Sequence, residues 1–113
     1  MDRGQIVLAP FPYSDLRGMK RRPACVVSAS SYNEGPDVIV AMVTSRGTRL
    51  HDPGMGDVTI NDWRAAGLRR PSVVRTGRLL VLERRLLTAL LGSLAPDDVE
   101  AVDRALLTVF GLR

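Results

Sequence analysis

The sequence predicts a mainly β fold: a small antiparallel β-barrel with one C-terminal α-helix packed alongside. Three observations carry this. Short β-prone runs recur between turn residues along most of the chain. The run Val38 to Val43 is apolar at every position, as a strand buried on both faces or set against a partner subunit requires. Only the C-terminal stretch shows a helical repeat. The 113 residues suit a single domain, expected to span 1–113. Hydrophobic residues make up 45% of them and aromatics only 4%, so the core is aliphatic and disorder is not expected.

The elements follow in order. Gln5 to Ala9 reads as the first strand, ended by Pro10 and Pro12. Phe11 to Arg22 reads as a loop, with turn residues Pro12, Asp15 and Gly18 and cations crowded into its second half. Ala24 to Ala29 is the second strand, Ser30 to Asp37 a turn region, and Val38 to Val43 the third strand. Thr44 to Gly56 is a second polar loop carrying Arg46, Arg49 and His51. Asp57 to Ile60 reads as a short strand. Asn61 then caps one helical turn that ends at Gly67. Ser72 to Thr76 is β-prone, and Leu79 to Leu82 continues it. Glu83 to Leu94 fits helix or strand, with a short last strand expected near Ala89 to Leu94. The final helix starts at Pro96, a residue suited to a first helical position, although Ala95 is a poor cap. Val99, Val102, Leu106, Val109 and Phe110 share one face of it, and Gly111 ends it. Asp97, Asp98, Glu100 and Asp103 read as its solvated face.

The balance of charge is +4, with a pI near 10.2, which favours an anionic partner. The single cysteine, Cys25, excludes an internal disulfide and reads as a small core residue. No apolar run approaches a membrane span, and Asp2 and Arg3 do not open a signal peptide. A cytoplasmic protein with no membrane role is expected. One histidine and one cysteine do not build a usual zinc site. Phosphate-binding glycine motifs and a nucleophile elbow are absent. His51, on a flexible loop, reads as a bystander or substrate contact.

What remains is cationic. Lys20, Arg21 and Arg22 run into Pro23, which biases Arg22 towards extended geometry at the mouth of a buried strand. An ordinary solvated loop would also carry such charges. If strands two and three pair as a meander, the start of one lies beside the end of the next, and Arg22 meets Thr44. Such a pair suits phosphodiester chemistry when the substrate brings its own nucleophile. RNA does so through its 2′-OH, and a rigid arginine stabilises the charge of the phosphorane that forms. DNA lacks that hydroxyl.

The chain resembles the MazF/PemK family of toxin endoribonucleases. The resemblance rests on Arg3-Gly4-Gln5-Ile6-Val7, Phe11-Pro12-Tyr13-Ser14-Asp15, Lys20 to Ser28, Val38 to Ser45 and Pro71-Ser72-Val73-Val74-Arg75, with the terminal helix in the expected position. It implies a small SH3-like β-barrel of the CcdB/MazF/PemK kind and a homodimer. It implies a toxin of a type II toxin–antitoxin system that cuts single-stranded RNA at short sequences. No metal or other cofactor is implied, and the ends are a 2′,3′-cyclic phosphate and a 5′-OH. It assigns Arg22 and Thr44 to catalysis and Arg78 to an RNA contact. The loops carrying Tyr13, Ser14, Lys20, Arg21, Ser45, Arg46 and Arg49 would line the RNA groove, with Tyr13 the preferred stacking residue over Phe11, Tyr32 and Trp63. A cognate antitoxin with an acidic tail would block that groove. Gln5 stands where relatives have Asp, and the acid that precedes the arginine in some relatives is replaced by a loop offering Asp15 and Arg17, so the general base is unnamed. Two non-catalytic readings stand beside this one: a CcdB-like poison of DNA gyrase acting through the C-terminal helix, and a degenerate module that only binds RNA or antitoxin.

Overall fold

The computed structural model describes residues 1–12 and 18–113. Six strands form one antiparallel sheet: β1 (Gln5–Pro12), β2 (Met19–Val26), β3 (Asp37–Thr44), β4 (Asp57–Thr59), β5 (Val73–Glu83) and β6 (Leu90–Ser93). Their order across the sheet is β4-β5-β3-β2-β1-β6. The sheet does not close on itself, since β4 and β6 end it without pairing to each other. Two short helices, α1 (Ser30–Asn33) and α2 (Gly47–His51), lie in the connections. The long helix α3 (Pro96–Val109) packs against β4 and β5.

Strand alternation sorts the core into two layers. Ile6, Cys25, Ala41, Val43 and Val74 point to one face and meet Val99, Val102 and Leu106 of α3. Val7, Ala24, Val26, Val38, Val40 and Leu82 fill the other face. The uninterrupted apolar run of β3 follows from this, because β3 is central and is packed on both sides within one chain. Trp63 packs half-buried on the first layer, as an anchor of its turn.

The first hairpin is longer than the sequence suggests. β1 runs through Pro10 to Pro12, and β2 begins at Met19, with Ala9↔Arg22, Pro10↔Arg21 and Phe11↔Lys20 in register. Lys20, Arg21 and Arg22 therefore stand on a strand and not on a loop. Prolines are tolerated there because the outer side of β1 is hydrogen-bonded only as far as Leu8, which exchanges bonds with Thr88 and Ala89, and is an edge beyond it. Cross-strand pairing has overridden weak local propensity. Phe11 is buried in the second layer, which removes it from the stacking candidates. The predicted turn and loop regions also hold α1 and α2.

Between Ala41↔Leu79 and Met42↔Arg75 the β3–β5 ladder shifts, leaving Thr76, Gly77 and Arg78 without partners on β3. Thr76 instead donates its amide (2.9 Å) and hydroxyl (2.7 Å) to the Gly56 carbonyl, tying the irregularity to β4. Glu83 to Leu94 resolves into the end of β5, a 3₁₀ turn at Arg84–Leu86 and β6. Two readings of α3 are corrected. Phe110 is 60% exposed, past the end of the packed face. Asp98 is 1% exposed and is no part of a solvated face. Its two carboxylate oxygens accept the amides of Asn61 and Asp62, each at 3.0 Å. The turn at 61–67 is thus held by Asp98 from α3, while Asp62, one residue after the predicted cap, accepts the Ala65 amide.

Candidate active site

The β2–β3 ladder runs from Val26↔Val40 to Ala24↔Met42 and stops. The next residue of β2 is Pro23, which has no N–H to continue the ladder. Past this point the strands part, while β3 stays paired to β5 through Thr44↔Val73. Carrying the β2–β3 register on by two residues sets Arg22 opposite Thr44, and directly opposed residues share a face.

A cleft of about 410 Å³ opens at this parting. Arg22 and Thr44 line it, together with Lys20, Ser45 and Arg46. Leu8, Pro23, Val43, Leu68 and Leu91 give it an apolar floor. Thr44 is 9% exposed, and its Oγ accepts the Arg46 amide at 3.2 Å. With one lone pair so engaged, the hydroxyl proton is left to donate to a ligand. Arg22 is half-buried within β2 and paired to Ala9 of β1, which limits its backbone freedom. Among the described residues, no carboxylate lines the cleft or forms an ion pair with Lys20, Arg22 or Arg46. Six of the fifteen lining residues are cationic, against a charge of +4 for the whole chain, so the rest of the chain is on balance acidic.

The fold, the register and the site can be set against known proteins. The family described as PemK-like, MazF-like toxin of type II toxin–antitoxin system matches residues 2–110. The chain belongs to this family. Among solved structures, an endoribonuclease in complex with its cognate antitoxin from a mycobacterial species superposes with a TM-score of 0.82 at 21% identity, over 100% of this chain and 97% of that one. The Mycobacterium tuberculosis toxin MazF-mt6 gives 0.75 at 23% identity, over 96% and 98%. A MazE-MazF complex from Deinococcus radiodurans gives 0.75 at 26% identity, over 98% and 96%. No curated protein sequence matches the chain.

In this MazF-like toxin the other expected contacts divide. Arg21 also lines the cleft, on the face of β2 opposite to Lys20 and Arg22, and its Nη1 donates to Thr88 Oγ at 3.1 Å and the Leu86 carbonyl at 3.4 Å. Arg49 lies on α2 outside the cleft and faces Asp57 at 4.0 Å, which also pairs with Arg75 at 3.3 Å. Arg78 is exposed in the irregular part of β5 and does not line the cleft. Tyr13 and Ser14, like Asp15 and Arg17, lie outside the described residues. His51 is exposed at the end of α2, away from the cleft lining.

One part of the cleft lining was not foreseen from the sequence. Gly67, Arg69, Arg70 and Ser72 join Leu68 there, all from the segment that leads into β5. A signal for it exists in the chain: Arg69-Arg70-Pro71 repeats Arg21-Arg22-Pro23, and both copies border the same cavity.

Proposed function

We propose that this MazF-like toxin is an endoribonuclease that cleaves single-stranded RNA without a metal ion. The observation that supports it best is the parting of β2 and β3 at Pro23, which leaves Arg22 and Thr44 facing one cleft. In the reaction, the 2′-oxygen of the RNA attacks the adjacent phosphorus and the bond to the 5′-oxygen breaks. The products are a 2′,3′-cyclic phosphate and a 5′-OH. The 2′-hydroxyl loses its proton and the departing oxygen gains one. The Arg22 guanidinium stabilises the extra negative charge of the phosphorane. Thr44, oriented by the Arg46 amide, donates to a phosphate oxygen. Lys20 and Arg46 hold the flanking backbone. The groups that move the two protons are not assigned to any residue.

The domain works as a unit over 1–113, and its partner is an antitoxin whose acidic segment occupies the cationic cleft. Two structures with the same fold are complexes of a toxin with its antitoxin, which supports such a partner here. A homodimer and action in the cytoplasm complete the proposal.

The test uses purified protein, a long single-stranded RNA and excess EDTA, with Arg22→Ala and Thr44→Ala alongside. Discrete cuts ending in cyclic phosphate, lost in both variants, are expected. Full activity in a folded Arg22→Ala protein would sink the proposal, and no cutting by folded wild-type protein would shift the weight to a module that acts by binding alone.

A further inference from the structure

We infer that Arg69 and Arg70 form a second phosphate-binding arm of the cleft, which grips the RNA backbone next to the phosphate held by Arg22. This deepens the endoribonuclease reading and rests on it for the identity of the ligand. Arg69 and Arg70 are exposed, line the same 410 Å³ cavity as Arg22 and Thr44, and make no ion pair among the described residues. Clustering unpaired guanidinium groups around one cavity is unfavourable until an anion enters.

The arm is rigid, which separates it from an ordinary basic surface. Its first residue, Gly67, has φ +77°, and a Cβ there would fall 2.0 Å from the Leu91 carbonyl oxygen of β6. A Cβ on Gly92 would fall 2.6 Å from the Ala66 carbonyl carbon, so the two backbones are in direct apposition from both sides. Asp98 fixes the start of the turn through the Asn61 and Asp62 amides. At the other end, Ser72 Oγ donates to the Arg70 carbonyl at 2.9 Å, and the Ser72 carbonyl accepts the Ile60 amide at 3.0 Å. Pro71 disfavours helical backbone at Arg70, as Pro23 does at Arg22. The guanidinium groups are thus carried on a fixed backbone that borders the same cleft as the β2 cations. An extended backbone with a phosphate at every nucleotide matches that arrangement, and a single isolated anion does not need it.

The test measures binding of a short single-stranded RNA whose 2′-hydroxyls are replaced by 2′-O-methyl groups, so that it is not cut, over a range of salt. An Arg69→Gln/Arg70→Gln protein should bind about tenfold more weakly at low salt, and its slope of log affinity against log salt should be shallower by about 1.4, for two lost phosphate contacts. Arg69→Lys/Arg70→Lys should recover the slope. Arg104→Gln/Arg113→Gln, with the same loss of net charge away from the cleft, should behave as wild type. On cleavable RNA, the Arg69→Gln/Arg70→Gln protein should show a raised KM and a kcat near that of wild type. A wild-type salt slope in this variant would overturn the arm while leaving the nuclease reading intact. A wild-type protein that binds but never cuts would overturn the nuclease reading, and the binding series would still decide the arm. Absence of binding by the wild-type protein would overturn the arm outright.

Discussion

In an Arg22→Ala protein the cleft keeps its walls and loses the charge donor nearest the Pro23 break. The expected cost is about 10²–10³ in cleavage rate, with thermal unfolding unchanged because Arg22 supports no ion pair among the described residues. Measuring kcat and melting temperature on the same preparation checks both. Cys25, on the same strand, has the opposite character. Burial pushes its thiol up to about 12 from an ordinary 9.0, against a lowering by Arg3. A folded pKa above the unfolded one means that the unfolded chain releases its proton first. The stability linked to this thiol is therefore fully present below pH 9 and drains away between about 9 and 12. Urea unfolding should show wild type losing about 1.4 kcal/mol per pH unit more than Cys25→Ala in that window. Equal slopes for the two proteins would show that burial does not control the thiol. At neutral pH the group stays protonated and inert to alkylation, in keeping with a core residue.

Asp98 shows how an element reaches the site from a distance. It sits in the first turn of α3, yet it holds the turn that leads into Arg69 and Arg70. Asp98→Ala would leave two buried-side amides without acceptors and should cost about 3 kcal/mol in unfolding free energy. Asp98→Asn, which keeps one acceptor oxygen, should cost less. The close apposition of the same turn to β6 gives a second handle. Gly92→Ala should destabilise by about 1–3 kcal/mol, because the obstructing atoms are backbone. Gly77→Ala meets nothing within 4 Å and should be nearly neutral. Chemical denaturation of the two alanine variants separates the cases, and similar losses in both would remove the argument from close packing.

At the scale of the whole molecule, charge is distributed against the average. The cleft concentrates cations while the rest of the chain is acidic on balance. RNA affinity should therefore fall steeply with salt even though the net charge is only +4. Binding of the 2′-O-methyl oligonucleotide at low and high salt checks this, and indifference to salt would contradict a phosphate-led cleft.

Much of this architecture was legible in the sequence. The aliphatic composition, the short β-prone run of β1, the apolar run of β3 and the Pro96-started repeat of α3 each state their own element, because burial and periodicity are local signals. That Arg22 and Thr44 border one cavity was legible too, since the antiparallel order of β2 and β3 carries the ladder towards both. Other features depend on partners distant in sequence. Lys20 to Arg22 looked like a loop because cations and prolines are poor strand formers, and only pairing with β1 makes them a strand with Arg21 on its opposite face. Asp98 looked solvated because an acid in a first helical turn usually is, and its burial required the Asn61 turn to arrive beside it. The Arg69-Arg70 wall required Gly67 and Gly92 to meet. By itself the sequence determined the strands, the helix and the residues capable of holding phosphate, through local pattern and residue chemistry. Tertiary structure alone decided which of those cations face a common cleft, because that depends on register and close backbone contact between segments far apart in the chain.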